Sequence, residues 1–103
     1  MDIQSTILSL MDASYTFQGL DFEWDTRKAS TNLRKHRISF ETACEVFLDP
    51  FVYVVEAGVI EGEPREAAIG MTEDWRLLYV VYTLREEIVR IISARSADRK
   101  SVV

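Results

Sequence analysis

The stretch Phe22–Phe40, FEWDTRKASTNLRKHRISF, decides the fold predicted for the first half of the chain. From Leu20 to Asp25 apolar and acidic residues alternate, and this period of two predicts a half-buried strand. Asp25 or Thr26 can cap the helix that follows, because a side-chain oxygen accepts from the free amides of a first helical turn. We expect this helix to end near His36-Arg37. Three of its residues share one face: Ala29, Leu33 and His36.

The rest of the chain predicts one short helix and then strands. Ser39 offers a second cap, and the helix after it ends before Pro50, because proline disfavours helical geometry in the residue before it. Its apolar stripe consists of Phe40, Ala43, Cys44 and Phe47. Strands are predicted over residues 51–57, 65–71, 77–83 and 88–94, with a tight hairpin loop at 85–87.

This order of elements, β-α-α-β-β-β-β, predicts an α+β domain. Two N-terminal helices would pack on a mainly antiparallel sheet of about five strands. We expect residues 17–103 to form this single domain. Residues 1–16 are interpreted as an N-terminal extension, either a tail or an extra helix.

Charge is unevenly distributed along a chain of net charge −5. Residues 27–37 contain five Lys/Arg, one His and no acid, whereas residues 41–74 contain nine acids and only Arg65 as a base. The last segment, residues 88–100, again has four bases against one acid. If the fold joins the two basic segments, this acidic protein carries a basic patch suited to a phosphate backbone. The alternative is that the basic block is a solvated helix face.

Several classes of protein are excluded or made less favourable by composition. With Cys44 as the single cysteine, no internal disulfide forms, which suits a reducing cytoplasm, and the thiol is predicted to lie in the core. One His and one Cys do not make a zinc site, so no metal site is expected. No apolar run reaches the length of a membrane span, and the first residues lack the basic region of a signal peptide.

The chain resembles the BrnT family of toxins from type II toxin–antitoxin modules over residues 20–99. The resemblance is carried by the segments 22–25, 32–36, 39–41, 77–83 and 90–95, together with Lys28, Ala43, Phe47 and Asp49-Pro50. It implies a RelE-like microbial RNase fold and a metal-independent ribonuclease, without cofactor, that blocks translation in the cytoplasm. The family usually has glycine where Arg37 stands, and its chain usually continues into a basic helix beyond the last strand.

The resemblance also implies partners. A BrnA-type antitoxin would bind and neutralise the toxin and repress their shared operon, so that DNA is reached only through the antitoxin. RNA is the expected substrate, no membrane is expected, and a homodimer within the toxin–antitoxin complex is left open.

Candidate site residues are basic, because metal-free RNA cleavage needs fixed cations on the phosphate and a proton donor and acceptor. The expected catalytic residues are His36, Arg90 and Arg95. The expected RNA- or phosphate-binding residues are Lys28, Arg34, Lys35, Arg65 and Arg99. His36 is the only histidine, the residue type best suited to transfer a proton near neutral pH, but it could equally satisfy the end of its helix. Simple alternation would place Arg90 and Arg95 on opposite faces of the last strand.

Two further functions stay open beside a ribonuclease. The first is a catalytically inactive remnant of the toxin fold that still binds an antitoxin or RNA, favoured by net acidity and the short C-terminal segment. The second is a structural interaction domain that uses the Val-rich strands as a dimer edge. Trp24 and Tyr82 could stack on nucleobases, although core packing is the favoured interpretation.

Overall fold

The computed structural model describes residues 11–97, which fold into one mixed sheet and two helices. The strands are β1 (Asp12–Phe17), β2 (Leu20–Asp25), β3 (Tyr53–Ile60), β4 (Glu63–Met71), β5 (Leu77–Arg85) and β6 (Ile88–Ser96). The helices are α1 (Thr26–His36) and α2 (Phe40–Cys44), and a 3₁₀ turn (Glu45–Leu48) continues α2. The α+β class and the two helices are therefore confirmed.

The sheet has six strands in the order β1-β2-β6-β5-β4-β3, not about five as expected from the sequence. All neighbouring strands are antiparallel except β2 and β6, which pair in parallel through Phe22 with Val89 and Glu23 with Arg90. The crossover from β2 to β6 encloses both helices and the other three strands. Segments distant in the sequence therefore meet in the middle of the sheet.

The additional strand is β1, and it corrects the interpretation of residues 1–16 as a tail or extra helix. Residues 1–10 lie outside the described part, but Asp12–Phe17 is an edge strand paired with β2. Its side chains alternate, and Tyr15 packs on Trp24 with ring centroids 5.7 Å apart. A two-residue turn at Gln18-Gly19, with φ of 52° and 82°, closes the hairpin in the left-handed geometry that matches strand twist. The division into residues 1–16 and 17–103 otherwise stays a prediction.

The hydrophobic core lies between one face of the sheet and the segment that contains α2. Trp24 meets the edge of Phe40 at 5.8 Å, and Tyr82 meets Phe47 at 5.0 Å, which confirms both aromatic residues as core. Cys44 is fully buried there, as predicted, and burial raises the pKa of its thiol to about 12. Gly70 on β4 lets the 3₁₀ turn that contains Val46 lie close to the sheet, since a Cβ at position 70 would lie 2.9 Å from Val46 Cγ1.

Helix α1 is fixed at its start by Asp25, whose carboxylate accepts from the amides of Arg27 and Lys28 at 2.8 and 3.2 Å. The buried side chain on this helix is Asn32, not Leu33, which is 48% exposed. Of the three residues predicted to share one face, Ala29 packs against the core, whereas Leu33 is exposed. The helix is rolled so that its amide side chain, rather than the leucine, meets the sheet.

Asn32 takes the place of a strand partner for β6. Its Oδ1 accepts from the amide of Ala94 at 3.0 Å, and its Nδ2 donates to the Ala94 carbonyl at 2.8 Å. Nδ2 also donates to the carbonyl of Ile38 at 3.1 Å. Strand β2 has ended before this point, so the amide completes the pairing of β6 where a backbone neighbour is missing. One side chain thus joins α1, the following turn and the central strand.

The turn after α1 is left-handed, although the residue at this position is an arginine. Arg37 has φ of 60° and ψ of 31°, and its amide donates to the Leu33 carbonyl at 2.9 Å. A residue with a Cβ is strained in this conformation, and glycine is not. Burial of Ile38, which follows the turn and is 1% exposed, offsets this strain.

We expect Asn32→Ala to lower the free energy of unfolding by about 2–4 kcal/mol, because it leaves buried backbone groups of Ala94 and Ile38 without partners. Urea unfolding followed by circular dichroism measures this loss. Leu33→Ala, at the exposed neighbouring position, is the control and should cost less than about 1 kcal/mol. Equal losses for the two variants would contradict the role assigned to the amide.

Arg37→Gly should raise the free energy of unfolding by about 1 kcal/mol by relieving the left-handed strain. The matched control is Arg34→Gly in the interior of α1, which removes the same charge. It should lower stability by about 1 kcal/mol, because glycine is a poor helix former. Opposite signs in urea unfolding are the expected result, and a loss of stability in both variants would refute the argument.

Candidate functional site

Basic side chains from four separate elements line one cleft of about 350 Å³ on the sheet. They are Lys28 of α1, Arg65 of β4, Arg85 of β5 and Arg90 of β6. Glu61 and Glu63 lie on the same wall, beside the turn between β3 and β4. The fold therefore joins the first basic segment of the chain to the last one and adds two arginines from the strands between them.

Strand register brings the arginines of the cleft side by side. Thr83 of β5 pairs with Arg90 of β6, and Glu66 of β4 pairs with Tyr82 of β5. Tyr82 points into the core, so the residues one step further, Arg65 and Thr83, point to the opposite face. Arg65 and Arg90 consequently flank the buried Thr83 on the face away from α2.

A β-bulge in β6 corrects the expected orientation of its two arginines. The register shifts between Val81 and Tyr82, which pair with Ser93 and Ile91, so that Ile92 is an additional residue in β6. The alternation is reset there, and Arg95, opposite Tyr79, lies on the same face as Arg90. The prediction that they lie on opposite faces was wrong, because strict alternation holds only for a strand without a bulge.

Two of the cationic groups are already engaged by acids. Arg90 donates to Asp12 of β1 through both terminal nitrogens, at 3.0 and 3.3 Å, and to Glu23 of β2 at 3.2 Å. The hydrogen bond to Asp12 is the main reason that the pKa of Arg90 is raised, although burial opposes it. Arg85 makes a paired contact with Glu63 at 3.0 and 3.1 Å, and this hydrogen bond lowers the pKa of the Glu63 carboxyl.

Arg65 differs from these two arginines. Its Nε is buried and has no hydrogen-bond partner among residues 11–97. A buried donor without an acceptor is costly, and a ligand that carries acceptor oxygens would remove that cost. Arg65 is therefore the group in the cleft whose geometry most directly favours an anion.

A second groove adjoins the cleft along α1. It is lined by Arg27, Lys28, Thr31, Asn32, Lys35, His36, Ile92 and Ser93. Lys28 and Ile92 line both depressions, so the exposed His36 lies in a surface continuous with the arginine cleft. An extended polymer could contact both at once.

The remaining predicted site residues lie elsewhere. Arg34 donates to Thr31 within its own helix at 3.4 Å. Arg95 lies further along β6, with its guanidinium carbon 4.3 Å from the centre of the Tyr79 ring. Arg99 lies outside the described residues. Sequence reasoning missed Asp12, Glu63 and Arg85, because each belongs to a strand or hairpin end whose extent was underestimated.

Within residues 11–97 no group of three or more His, Cys, Asp and Glu side chains could hold a metal ion. Metal independence itself stays a prediction. No helix in this part of the chain is long and apolar enough to cross a membrane.

The fold and the cleft define a small α+β protein with one mixed sheet and a depression beside its first helix that is lined by four basic side chains. Residues 24–101 match the profile of a family described as "Ribonuclease toxin, BrnT, of type II toxin-antitoxin system". The chain belongs to this BrnT family of ribonuclease toxins, as the resemblance predicted. Strand β1 and most of β2 precede the matched residues.

The crystal structure of the Brucella abortus ribonuclease toxin, BrnT, at 1.1 Å is similar to this structure, with a TM-score of 0.60 and 29% sequence identity. The alignment covers 74% of this chain and 94% of that chain. Among the curated proteins compared, none matches this sequence. About a quarter of the present chain thus has no aligned counterpart in the Brucella toxin.

Proposed function

We propose that this chain is a metal-independent endoribonuclease that binds RNA phosphates in the cleft and blocks translation. The observation that carries the proposal is the convergence of Lys28, Arg65, Arg85 and Arg90 on one cleft in a chain of net charge −5. An acidic protein that still collects four bases from four elements has a local preference for an anion. Because the chain belongs to a family of ribonuclease toxins, RNA is the anion that we propose as the ligand of the cleft.

In the proposed chemistry the arginines stabilise the charge that accumulates on the phosphate oxygens in the transition state. Arg65 suits this role because its buried Nε lacks a partner among the described residues. Arg90 joins it from the other side of Thr83 once an RNA phosphate replaces a carboxylate on its guanidinium. Lys28, between the cleft and the groove, would hold the neighbouring phosphate.

Proton transfer is assigned to His36, which could take the proton of the 2′-hydroxyl or supply one to the leaving 5′-oxygen. Its position in the groove that shares Lys28 with the cleft supports this role. Lys35 in the same groove, Arg34 and Arg99 would bind phosphates along the strand. Arg95, on the same face as Arg90, would extend the basic surface beyond the bulge.

The proposed partner is an antitoxin of the BrnA type, since type II toxins are neutralised by a protein. Such an antitoxin would place acidic side chains opposite the cleft and would contact DNA on behalf of the complex. A homodimer of the toxin within that complex stays open. We retain the RelE-like classification and a cytoplasmic location as parts of this proposal, and the single free thiol suits a reducing compartment.

An inactive RNA- or antitoxin-binding remnant is the second candidate. One observation favours it: Arg90, the most enclosed of the expected catalytic residues, is held by two carboxylates. Expression without antitoxin separates the two candidates. Growth arrest supports the enzyme, and normal growth with a folded, abundant protein supports the remnant.

Lys28→Ala and Arg65→Ala should each reduce RNA cleavage about tenfold or more, because each removes a phosphate contact from the cleft. Cleavage is measured on labelled RNA both with and without EDTA. Arg76→Ala is the control, since Arg76 follows the turn at the other end of the β4–β5 hairpin and pairs with Asp74. Cleavage that stops in EDTA would contradict the metal-independent mechanism, and unchanged cleavage by both variants would contradict the site.

The double variant Arg90→Ala, Arg95→Ala should abolish cleavage and growth arrest while the protein stays folded. His36→Ala should lower the cleavage rate, because it removes the group assigned to proton transfer. Full cleavage by the arginine double variant would eliminate that assignment. An unchanged cleavage rate in His36→Ala would contradict the role of His36 in proton transfer.

A further inference from the structure

The charges in and around the cleft are balanced. Four basic side chains line it, and Glu61 and Glu63 lie on its wall. Asp12 and Glu23 add two carboxylates directly on Arg90. A cleft that must attract a polyanion is therefore close to neutral in this conformation, and its most enclosed arginine faces more negative charge than it carries.

Asp12 and Glu23 differ in their place in the fold. Glu23 lies on β2, next to Arg90 in the parallel pair at the centre of the sheet. Asp12 lies on the edge strand β1, and it makes the two-oxygen contact. Its side chain is 35% exposed, against 22% for Glu23 and 17% for Arg90. Asp12 is thus the more accessible of the two carboxylates and the one that an entering anion can displace.

We propose that Asp12 occupies the phosphate position on Arg90 and so limits the affinity of the cleft for RNA. This inference rests on the proposed function only in taking RNA as the ligand. Both terminal nitrogens of Arg90 point at Asp12, in the geometry in which a guanidinium holds two oxygens of a phosphate. RNA must exchange places with this carboxylate, and Glu23 keeps the guanidinium oriented during the exchange. Asp12 acts through Arg90 and is not itself a catalytic residue.

The variant that tests the masking is Asp12→Asn, which keeps the size of the side chain and removes its charge. Binding is measured by fluorescence anisotropy with a short single-stranded oligoribonucleotide whose 2′-hydroxyls are methylated, so that it binds without being cleaved. We expect about three- to tenfold tighter binding than wild type at low salt. The salt dependence should become steeper by about 0.7 in the log–log slope, the value for one additional phosphate contact on a single strand.

The control for overall charge is Glu56→Gln, which makes the same change of net charge at an exposed position on the opposite edge strand β3. It should change binding less than twofold. A second control repeats Asp12→Asn in an Arg90→Gln background, where the gain in affinity should fall to the level of Glu56→Gln. Urea unfolding of each variant verifies that the fold is retained.

The results separate the masking from the ribonuclease assignment. Unchanged or weaker binding by Asp12→Asn overturns the masking, and so does an equal gain from Glu56→Gln or a full gain without Arg90. Tighter binding with the steeper salt slope supports it, whether or not the wild-type protein cleaves RNA. If neither wild type nor Asp12→Asn cleaves unmodified RNA, the ribonuclease proposal fails while the masking of an RNA-binding cleft stands.

Discussion

The amide of Asn32 is the contact on which the arrangement of the functional surface depends. Strand β6 loses its parallel neighbour when β2 turns into α1, and the Asn32 side chain supplies the missing donor and acceptor at Ala94. The same amide holds the turn at Ile38. Lys28 and His36 lie one turn before and one turn after Asn32, so a single buried side chain sets the distance of both from the strand that carries Arg90.

The arginines of the cleft differ in whether an acidic side chain neutralises them. Arg85 pairs with one carboxylate and Arg90 with two, whereas the Nε of Arg65 is buried without a partner among the described residues. In the proposed complex, binding of RNA would exchange these ion pairs for contacts between the arginines and phosphates. Affinity is therefore a difference between two charged states of the cleft, and the acids that face the arginines influence it as strongly as the arginines do.

Local chemistry was enough to predict three features from the sequence: the alternation in β2, the caps at Asp25 and Ser39, and the β-rich second half. The strand Asp12–Phe17 was missed, although Ala13, Tyr15 and Phe17 are spaced two apart and a Gln-Gly turn follows them. The apolar residues within the segment 1–16 were instead interpreted as a possible helical turn. The burial of Asn32 and the bulge at Ile92 could not be predicted. Both arise from the geometry between segments that are distant in the chain, and local periodicity contains no information on that geometry.

The parallel pairing of β2 with β6 joins Glu23 to Arg90, 67 positions later in the chain. A nascent polypeptide therefore cannot assemble the cleft until nearly all of the domain has emerged from the ribosome. Until then Lys28 and Arg90 cannot lie in the same folded structure. Closing a loop over this span is also slow compared with the formation of hairpins. The topology thus keeps the proposed site of this ribonuclease toxin incomplete until β6 has been synthesised.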